Sequence, residues 1–323
     1  MASRAFVVTG ANKGIGFETV RELGKIPKLK EAVIVLCSRT LAAGETAVST
    51  LAKEGIRANL EQLDIADEKS RNNFVDVLQR KYKHVDCLVN NAGFLLSLLG
   101  IAFPPGARQP LTEQAKATCA VNYYGTRDIT MALSPLFRKN TKVVFLTSNL
   151  ETAGPPFMSK SNRDRLLAST ATVEDIDAAA AVIGLMAAVA RHADAGKLNP
   201  NAEGIIVTAC YPGWCKTDMA GWKSPLLSAA EGGKRVAELA LGAGRQQHGR
   251  LVVENKEIKT PSQLESPETV EKCFLPKRVS VEAEECSKTG RDVARPLANS
   301  AERHFPTTSG GLPTPAGILA AVS

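Results

Sequence analysis

The residues best suited to do chemistry come first in the chain. Thr9-Gly10-Ala11-Asn12-Lys13-Gly14-Ile15-Gly16 follows directly on the apolar run Phe6-Val7-Val8, and Phe17 to Leu23 then carries helical periodicity. A short buried strand, a glycine loop and a helix, in that order, make the setting in which a loop cradles the phosphates of a dinucleotide. In that reading Gly10 turns the chain sharply, Gly14 leaves room for the pyrophosphate, and Gly16 lets the helix pack close to the strand. The helix N-terminus presents unpaired N–H groups to the phosphates. The spacing is G-x-x-x-G-x-G, not G-x-G-x-x-G. A purely structural turn is the competing reading, and the strand before and helix after weigh against it.

The second strand, Ala32-Val33-Ile34-Val35-Leu36, runs into Cys37-Ser38-Arg39-Thr40. A site for NAD places an acidic residue here to hold the ribose 2′-hydroxyl. This chain has Arg39 instead, and Lys13 can reach the same corner from the glycine loop. Two cations and no carboxylate suit a 2′-phosphate, which an arginine can grip through two hydrogen bonds. The expected cofactor is NADP(H). The bland alternative is that both are solvated surface charges.

Five segments in order resemble the short-chain dehydrogenase/reductase family, most closely its NADPH-dependent carbonyl reductases. They are Thr9 to Gly16, Leu63-Asp64-Ile65, Leu88-Val89-Asn90-Asn91-Ala92-Gly93, Val121-Asn122-Tyr123-Tyr124-Gly125-Thr126-Arg127-Asp128, and Tyr211-Pro212-Gly213-Trp214 through Thr217-Asp218-Met219-Ala220-Gly221. The resemblance runs from residue 4 to about 256. It implies that Gly10, Asn12, Lys13, Gly14, Ile15, Gly16 and Arg39 hold the phosphates. It sets Asp64 and Ile65 against the adenine, and Asn91, Ala92 and Gly93 along its ribose. Pro212, Gly213 and Thr217 would close over the nicotinamide, and Trp214 and Met219 would wall the substrate pocket. Trp214 alone also reads as a core aromatic.

Hydride transfer to a ketone needs a proton donor where negative charge develops on oxygen. The family supplies a Tyr, a Lys that lowers its pKa, a Ser that binds the carbonyl and an Asn that anchors a relay water. The resemblance assigns two of these as catalytic residues, Asn122 and Ser148, the latter closing the strand Val143-Val144-Phe145-Leu146-Thr147. The Tyr-x-x-x-Lys pair is absent: four residues beyond Tyr82, Tyr123, Tyr124 and Tyr211 stand Asp86, Arg127, Asp128 and Cys215. Counted back from Tyr211-Pro212-Gly213, the pair would fall near Ala178 and Val182, so a segment is missing at about 177/178. Tyr123 or Tyr124 is a candidate substitute donor. The expected function is hydride transfer from NADPH to a ketone, aldehyde or quinone. The alternative is a non-catalytic NADP-binding pseudoenzyme.

The elements that must position these residues alternate. Strands are predicted near 5–9, 32–37, 57–63, 86–90, 142–147, 204–210 and 250–254. Helices are predicted near 15–25, 41–54, 67–83, 111–138, 174–195 and 226–242. Alternation of this kind predicts an α/β fold: a doubly wound parallel sheet of Rossmann type, with ligands at the carboxyl ends of the strands. Residues 151–172 are polar and irregular, at the place where the resemblance puts an insertion of monomeric carbonyl reductases. Residues 1–256 are expected to form one domain. Residues 257–323 change character, 261–323 holding seven of the 17 prolines, and are expected to be a disordered tail.

Of the net charge of +7, the first 256 residues carry +8, because 257–323 hold eight Lys/Arg against nine Asp/Glu. A basic body suits an anionic cofactor, and no nucleic-acid-binding signature accompanies it. The seven cysteines form no C-x-x-C, and no clustered histidines suggest a metal. Cys37 and Cys87 are expected in the core, Cys210 and Cys215 as exposed thiols near the pocket. The longest apolar run, Ala178 to Ala190, has 13 residues, too short to span a bilayer. A monomeric cytoplasmic protein with a small carbonyl substrate, and no membrane or nucleic-acid partner, is the expectation.

Overall fold

The structure is a computed structural model that describes residues 3–94, 111–148, 161, 164, 168, 173, 182–220, 225–253 and 257–259. Its strands are β1 (Ala5–Val8), β2 (Val33–Ser38), β3 (Asn59–Gln62), β4 (Val85–Asn90), β5 (Phe137–Leu146), β6 (Ile206–Tyr211), β7 (Leu251–Val253) and β8 (Glu257–Lys259). They form one sheet in the order β3-β2-β1-β4-β5-β6-β7-β8. Every pairing is parallel except the last, β7 with β8. The sheet therefore takes in three residues of the segment expected as tail. The remainder of that segment lies outside the described residues, as does most of the insertion.

The central strands are apolar at nearly every position because both faces are covered. Alternate side chains point to opposite faces. Phe6, Val8, Cys87, Val89 and Val144 join one core with α1 (Gly14–Gly24), α2 (Leu41–Lys53) and α7 (Ala229–Gly242). Val7, Leu88, Val143 and Phe145 join the other, with α3 (Glu68–Lys81), α5 (Thr126–Leu133) and α6 (Val182–Asp194). Some helix starts are set by local chemistry. Asp67 caps α3 by accepting the Ser70 N–H, and Ser228 with Glu231 forms a reciprocal capping box on α7. That cap starts α7 at Ala229, later than the predicted 226.

The predicted helix over 111–138 is several elements. It comprises α4 (Leu111–Cys119), a π-helical turn (Ala120–Gly125), α5, and a 3₁₀ turn at Ser134–Leu136. Pro135 cannot continue an α-helix, and Phe137 at once pairs with Val85. β5 thus begins five residues before the predicted 142. The ladder slips between Val85 and Cys87, on the far side of Asn140, whose φ is 64°.

Nine successive residues of α6, Val182 to Ala190, are buried. A helix apolar all round must be covered on every side. Val173 and Ala168, from the segment before it, belong to the same core. The far end of α6 is tied to the sheet through His248. Its Nδ1 accepts the Val207 N–H of β6 at 3.1 Å, and its Nε2 lies 3.2 Å from Asp194 Oδ2, out of line for a full hydrogen bond. Arg245 donates to the other Asp194 oxygen at 2.8 Å. Burial holds the imidazole below its ordinary 6.5 and outweighs the pull of Asp194.

An unfolded chain takes up a proton at this histidine before the folded one does. His248 therefore contributes stability that is present above about pH 6.5 and lost as pH falls below it. Melting temperature is expected to drop between about pH 7.5 and 5.5 in the native chain, and less in His248→Gln. Equal slopes in the two proteins would remove His248 as the cause.

Candidate functional site

Reading outward from the middle of the sheet, strand order reverses between β1 and β4. The crevice at such a switch point, beyond the carboxyl ends of the strands, is where doubly wound sheets bind ligands. The glycine loop leaves β1 on one side of it, and Asn91-Ala92-Gly93 leaves β4 on the other.

These two segments are locked together. Thr9 Oγ1 accepts the N–H of Asn91 (3.0 Å) and of Ala92 (2.9 Å), and Asn91 Nδ2 donates to the carbonyls of Thr9 (2.8 Å) and Gly10 (3.0 Å). Gly10 has φ 60°, and a Cβ there would stand 2.7 Å from the Ala92 Cα. A Cβ on Gly16 would meet Asn91 Nδ2 at 2.3 Å. Both glycines are thus required by close approach, Gly10 also by its left-handed backbone. The Ala11 N–H donates to Cys37 O at 2.8 Å, tying the loop to β2. The helix then starts at Gly14, with Lys13 as an extended N-cap residue (φ −160°) that makes no side-chain cap, and with no acidic residue in the first turn. The first-turn N–H groups are left to an outside acceptor.

At the next strand end Arg39 is exposed, its carbonyl accepting from Gln62 Nε2 at 3.2 Å. Asp64 Oδ1 accepts the Ala66 N–H at 3.0 Å, and Ile65 is buried, its carbonyl taking Arg71 Nη1 at 2.7 Å. Asp64 and Ile65 follow β3 and Arg39 follows β2, so these residues gather at the carboxyl edge with the glycine loop.

β5 and β6 bring the other half. Leu146 pairs with Cys210, and the Thr147 N–H donates to Cys210 O at 3.0 Å, which sets half-buried Ser148 level with Pro212 on the neighbouring chain. Gly213, with φ 100°, turns the chain out of β6. Arg235 donates to the Pro212 carbonyl, and the Cys215 thiol to the Gly213 carbonyl at 3.3 Å. Leu227 then closes back on this segment, Lys216 donating to its carbonyl at 2.8 Å. Trp214 and Met219 stand about half exposed, so Trp214 is not a core aromatic. Thr217 meets the glycine loop, its Cγ2 lying 3.5 Å from where a Cβ on Gly14 would be.

Asn122 sits in the π-helical turn. Its Oδ1 accepts the Phe94 N–H and its Nδ2 donates to the Phe94 carbonyl, both at 2.9 Å. That bracket pins the strand leaving β4 just beyond Gly93. Turns of this wide kind interrupt α-helices frequently at functional sites, and nothing in the apolar periodicity of 111–138 marks one.

One expectation fails, and one candidate donor falls away. Cys210 and Cys215 are buried, not exposed thiols: Cys210 lies inside β6 and Cys215 under α7. Burial pushes the Cys210 thiol up to about 12. Tyr123 does not serve as a substitute donor, because it is 1% exposed within the core. Tyr124 is more open, its ring edge on Tyr123 and its face under Arg127. Val182, where the family's lysine would fall, opens α6 as a buried apolar residue. Ala178 lies outside the described residues. Sequence reasoning overlooked the ion pair between Lys13 Nζ and Asp218 Oδ2, 2.7 Å apart.

A doubly wound sheet with a glycine loop at its switch point defines a Rossmann-type protein. The model of short chain dehydrogenases matches residues 4–160. Carbonyl reductase (NADPH) 1 of Macaca fascicularis is 32% identical over 279 positions, covering 78% of this chain and 97% of the relative. The Homo sapiens protein of the same name is 32% identical over 276 positions, covering 77% and 96%. The chain belongs to the short-chain dehydrogenase family. Among solved structures, menthone neomenthol reductase from Mentha piperita superposes with a TM-score of 0.59 at 23% identity, over 79% of this chain and 99% of that one. A Burkholderia cenocepacia short chain dehydrogenase in complex with NADP gives 0.56 at 23%, over 78% and 95%. These two share the fold. Because 78% of 323 residues is about 252, roughly 27 of the 279 positions aligned with the macaque protein have no residue here.

Proposed function

We propose that the chain is an NADPH-dependent oxidoreductase acting on a small carbonyl compound. The observation that carries this reading is the crevice between β1 and β4, with uncapped first-turn amides on α1 and, at the end of β2, an exposed Arg39 where an NAD site has an acid. The first-turn N–H groups of α1 bind the pyrophosphate, and Arg39 takes the 2′-phosphate. Gly10, Asn12, Gly14, Ile15 and Gly16 shape the cradle, Asp64 and Ile65 receive the adenine, and Asn91, Ala92 and Gly93 line its ribose. The names of the 32%-identical relatives support the same cofactor and substrate class.

When bound, NADPH supplies the hydride. Ser148 donates a hydrogen bond to the carbonyl oxygen, and Pro212, Gly213 and Thr217 hold the nicotinamide end. Asn122 keeps the Phe94 backbone in place beside them. Trp214 and Met219 form an apolar wall for the substrate. With no Tyr-x-x-x-Lys in the chain, the product oxygen takes its proton from solvent, and turnover is expected to be about 10²- to 10⁴-fold below that of an enzyme with the acid in place. Quinones, which spread the incoming charge over the ring, need that acid least and are the substrates of choice. The cover of α6 by residues of its own chain supports a monomer. Among the described residues no helix is long and apolar enough to cross a membrane.

The test is a fluorescence titration with NADPH and NADH. The native chain is expected to prefer NADPH, and Arg39→Ala to lose about ten- to a hundredfold of NADPH affinity with NADH binding unchanged, the range of a charged hydrogen bond. Equal weakening toward both cofactors would show that Arg39 does not touch the 2′-phosphate.

A further inference from the structure

Arg71 is the fourth residue of α3, close to the helix's positive end, where the macrodipole disfavours a cation. Local helix chemistry therefore does not account for it, and two distant groups do. Nη1 donates to the Ile65 carbonyl at 2.7 Å, and Nη2 donates to Asp128 Oδ2 on α5 at 2.9 Å. The side chain is only 12% exposed, and a cation that buried needs a partner. Asp128 is itself held by Arg127, whose Nη2 lies 2.7 Å from its other oxygen. Gly125, just before α5, abuts the turn after β3: a Cβ there would stand 2.7 Å from Ile65 O. The Ser70 hydroxyl accepts the Asp64 N–H at 2.9 Å. The turn is thus gripped from α3 and braced against α5.

What that turn carries is Asp64. Its Oδ1 accepts the Ala66 N–H at 3.0 Å, and no hydrogen bond among the described residues takes Oδ2. A carboxylate oxygen only accepts, and the strong donor on the edge of an adenine is its exocyclic amine. We propose that Arg71 is a positioning residue for the adenine end of the cofactor. By fixing the Ile65 carbonyl it fixes the turn that presents Asp64 Oδ2 to that amine. The proposal rests on the cofactor reading above. Lysine would not replace Arg71, because a single ammonium lacks the planar fork that serves a carbonyl and a carboxylate at once.

The experiment is a fluorescence titration of the full chain with NADPH and with deamino-NADPH, in which an oxygen replaces the adenine amine. Arg71→Met, Arg71→Lys and Asp128→Asn are compared with the native protein after a melting check. The native chain is expected to bind NADPH about tenfold more tightly than deamino-NADPH, the effect of losing a hydrogen bond to a charged group. Arg71→Met should bind NADPH about three- to tenfold more weakly. Its affinity for deamino-NADPH should stay within about twofold of native, because ligand and variant then lack the same interaction. Arg71→Lys should fall with Arg71→Met. Asp128→Asn keeps the guanidinium but loses the charge that steers it, and should show the same selective loss in smaller measure. If Arg71→Met does not fold, Asp128→Asn carries the comparison. Equal weakening toward both cofactors in folded variants would make Arg71 a support of the fold alone and overturn the proposal, as would an unchanged preference. A native chain that binds both cofactors equally would overturn it too, by showing that Asp64 does not meet the amine, and would leave the reading of Arg39 untouched. A native chain that binds neither would end the cofactor reading and the proposal with it.

Discussion

Introducing tyrosine and lysine together, as Ala178→Tyr with Val182→Lys, is expected to raise NADPH-dependent carbonyl reduction by about 10²- to 10⁴-fold. The two positions are four apart, the spacing of the family's Tyr-x-x-x-Lys pair. Counting back from Tyr211-Pro212-Gly213 puts the family's pair at these positions, and Val182 opens the first described turn of α6. The tyrosine hydroxyl would give the product oxygen its proton. The lysine charge would lower the tyrosine pKa toward the working pH. Val182 is 3% exposed, so an ammonium there pays for desolvation unless it reaches the crevice. Steady-state rates on a quinone and a ketone should be read beside a melting curve. Val182→Lys alone should give no gain, since it adds no acid. A double variant that melts near the native temperature and turns over no faster would mean that these two positions do not face the crevice.

Gly10→Ala is expected to cost more stability than Gly55→Ala and to abolish NADPH binding. The comparison works because both glycines have positive φ, 60° and 77°. Placing a residue other than glycine there costs of order 1–3 kcal/mol in either case. They differ in space: a Cβ on Gly10 stands 2.7 Å from the Ala92 backbone, while one on Gly55 has nothing within 4 Å. The excess loss in Gly10→Ala measures the collision with the Asn91-Ala92 segment. Relief of that collision would separate β1 from the strand end of β4, and with it the two walls of the crevice. Chemical denaturation gives the stability difference, and fluorescence titration gives the binding. Equal losses of stability in the two variants would show that the loop yields around the new methyl group.

Much of this was legible in the chain because it is written in neighbouring residues. The run Phe6-Val7-Val8, three glycines at fixed spacing and the helical period after them identify strand, loop and helix without any distant contact. The lack of an acid beside Arg39 and the lack of Tyr-x-x-x-Lys are likewise local facts. The doubly wound sheet followed from the alternation of strands and helices. The break at Pro135 was equally local, and the early start of β5 shows that apolar periodicity across 111–138 masked it. The π-helical turn had no such signal, since the residues that make it also fit an ordinary helix.

What the sequence by itself determined is the order of elements, the glycine loop between strand and helix and the absence of the usual proton donor, all of which depend on residues within a few positions of one another. The tertiary structure decided which distant groups meet. Asn91 grips the Thr9 loop across 82 positions, and Asp218 reaches Lys13 across 205. It also decided which polar groups water can reach, sealing Cys210, Cys215 and Tyr123 away. Burial and long-range pairing belong to the packed sheet, because a side chain's exposure depends on elements that approach only after the strands have assembled.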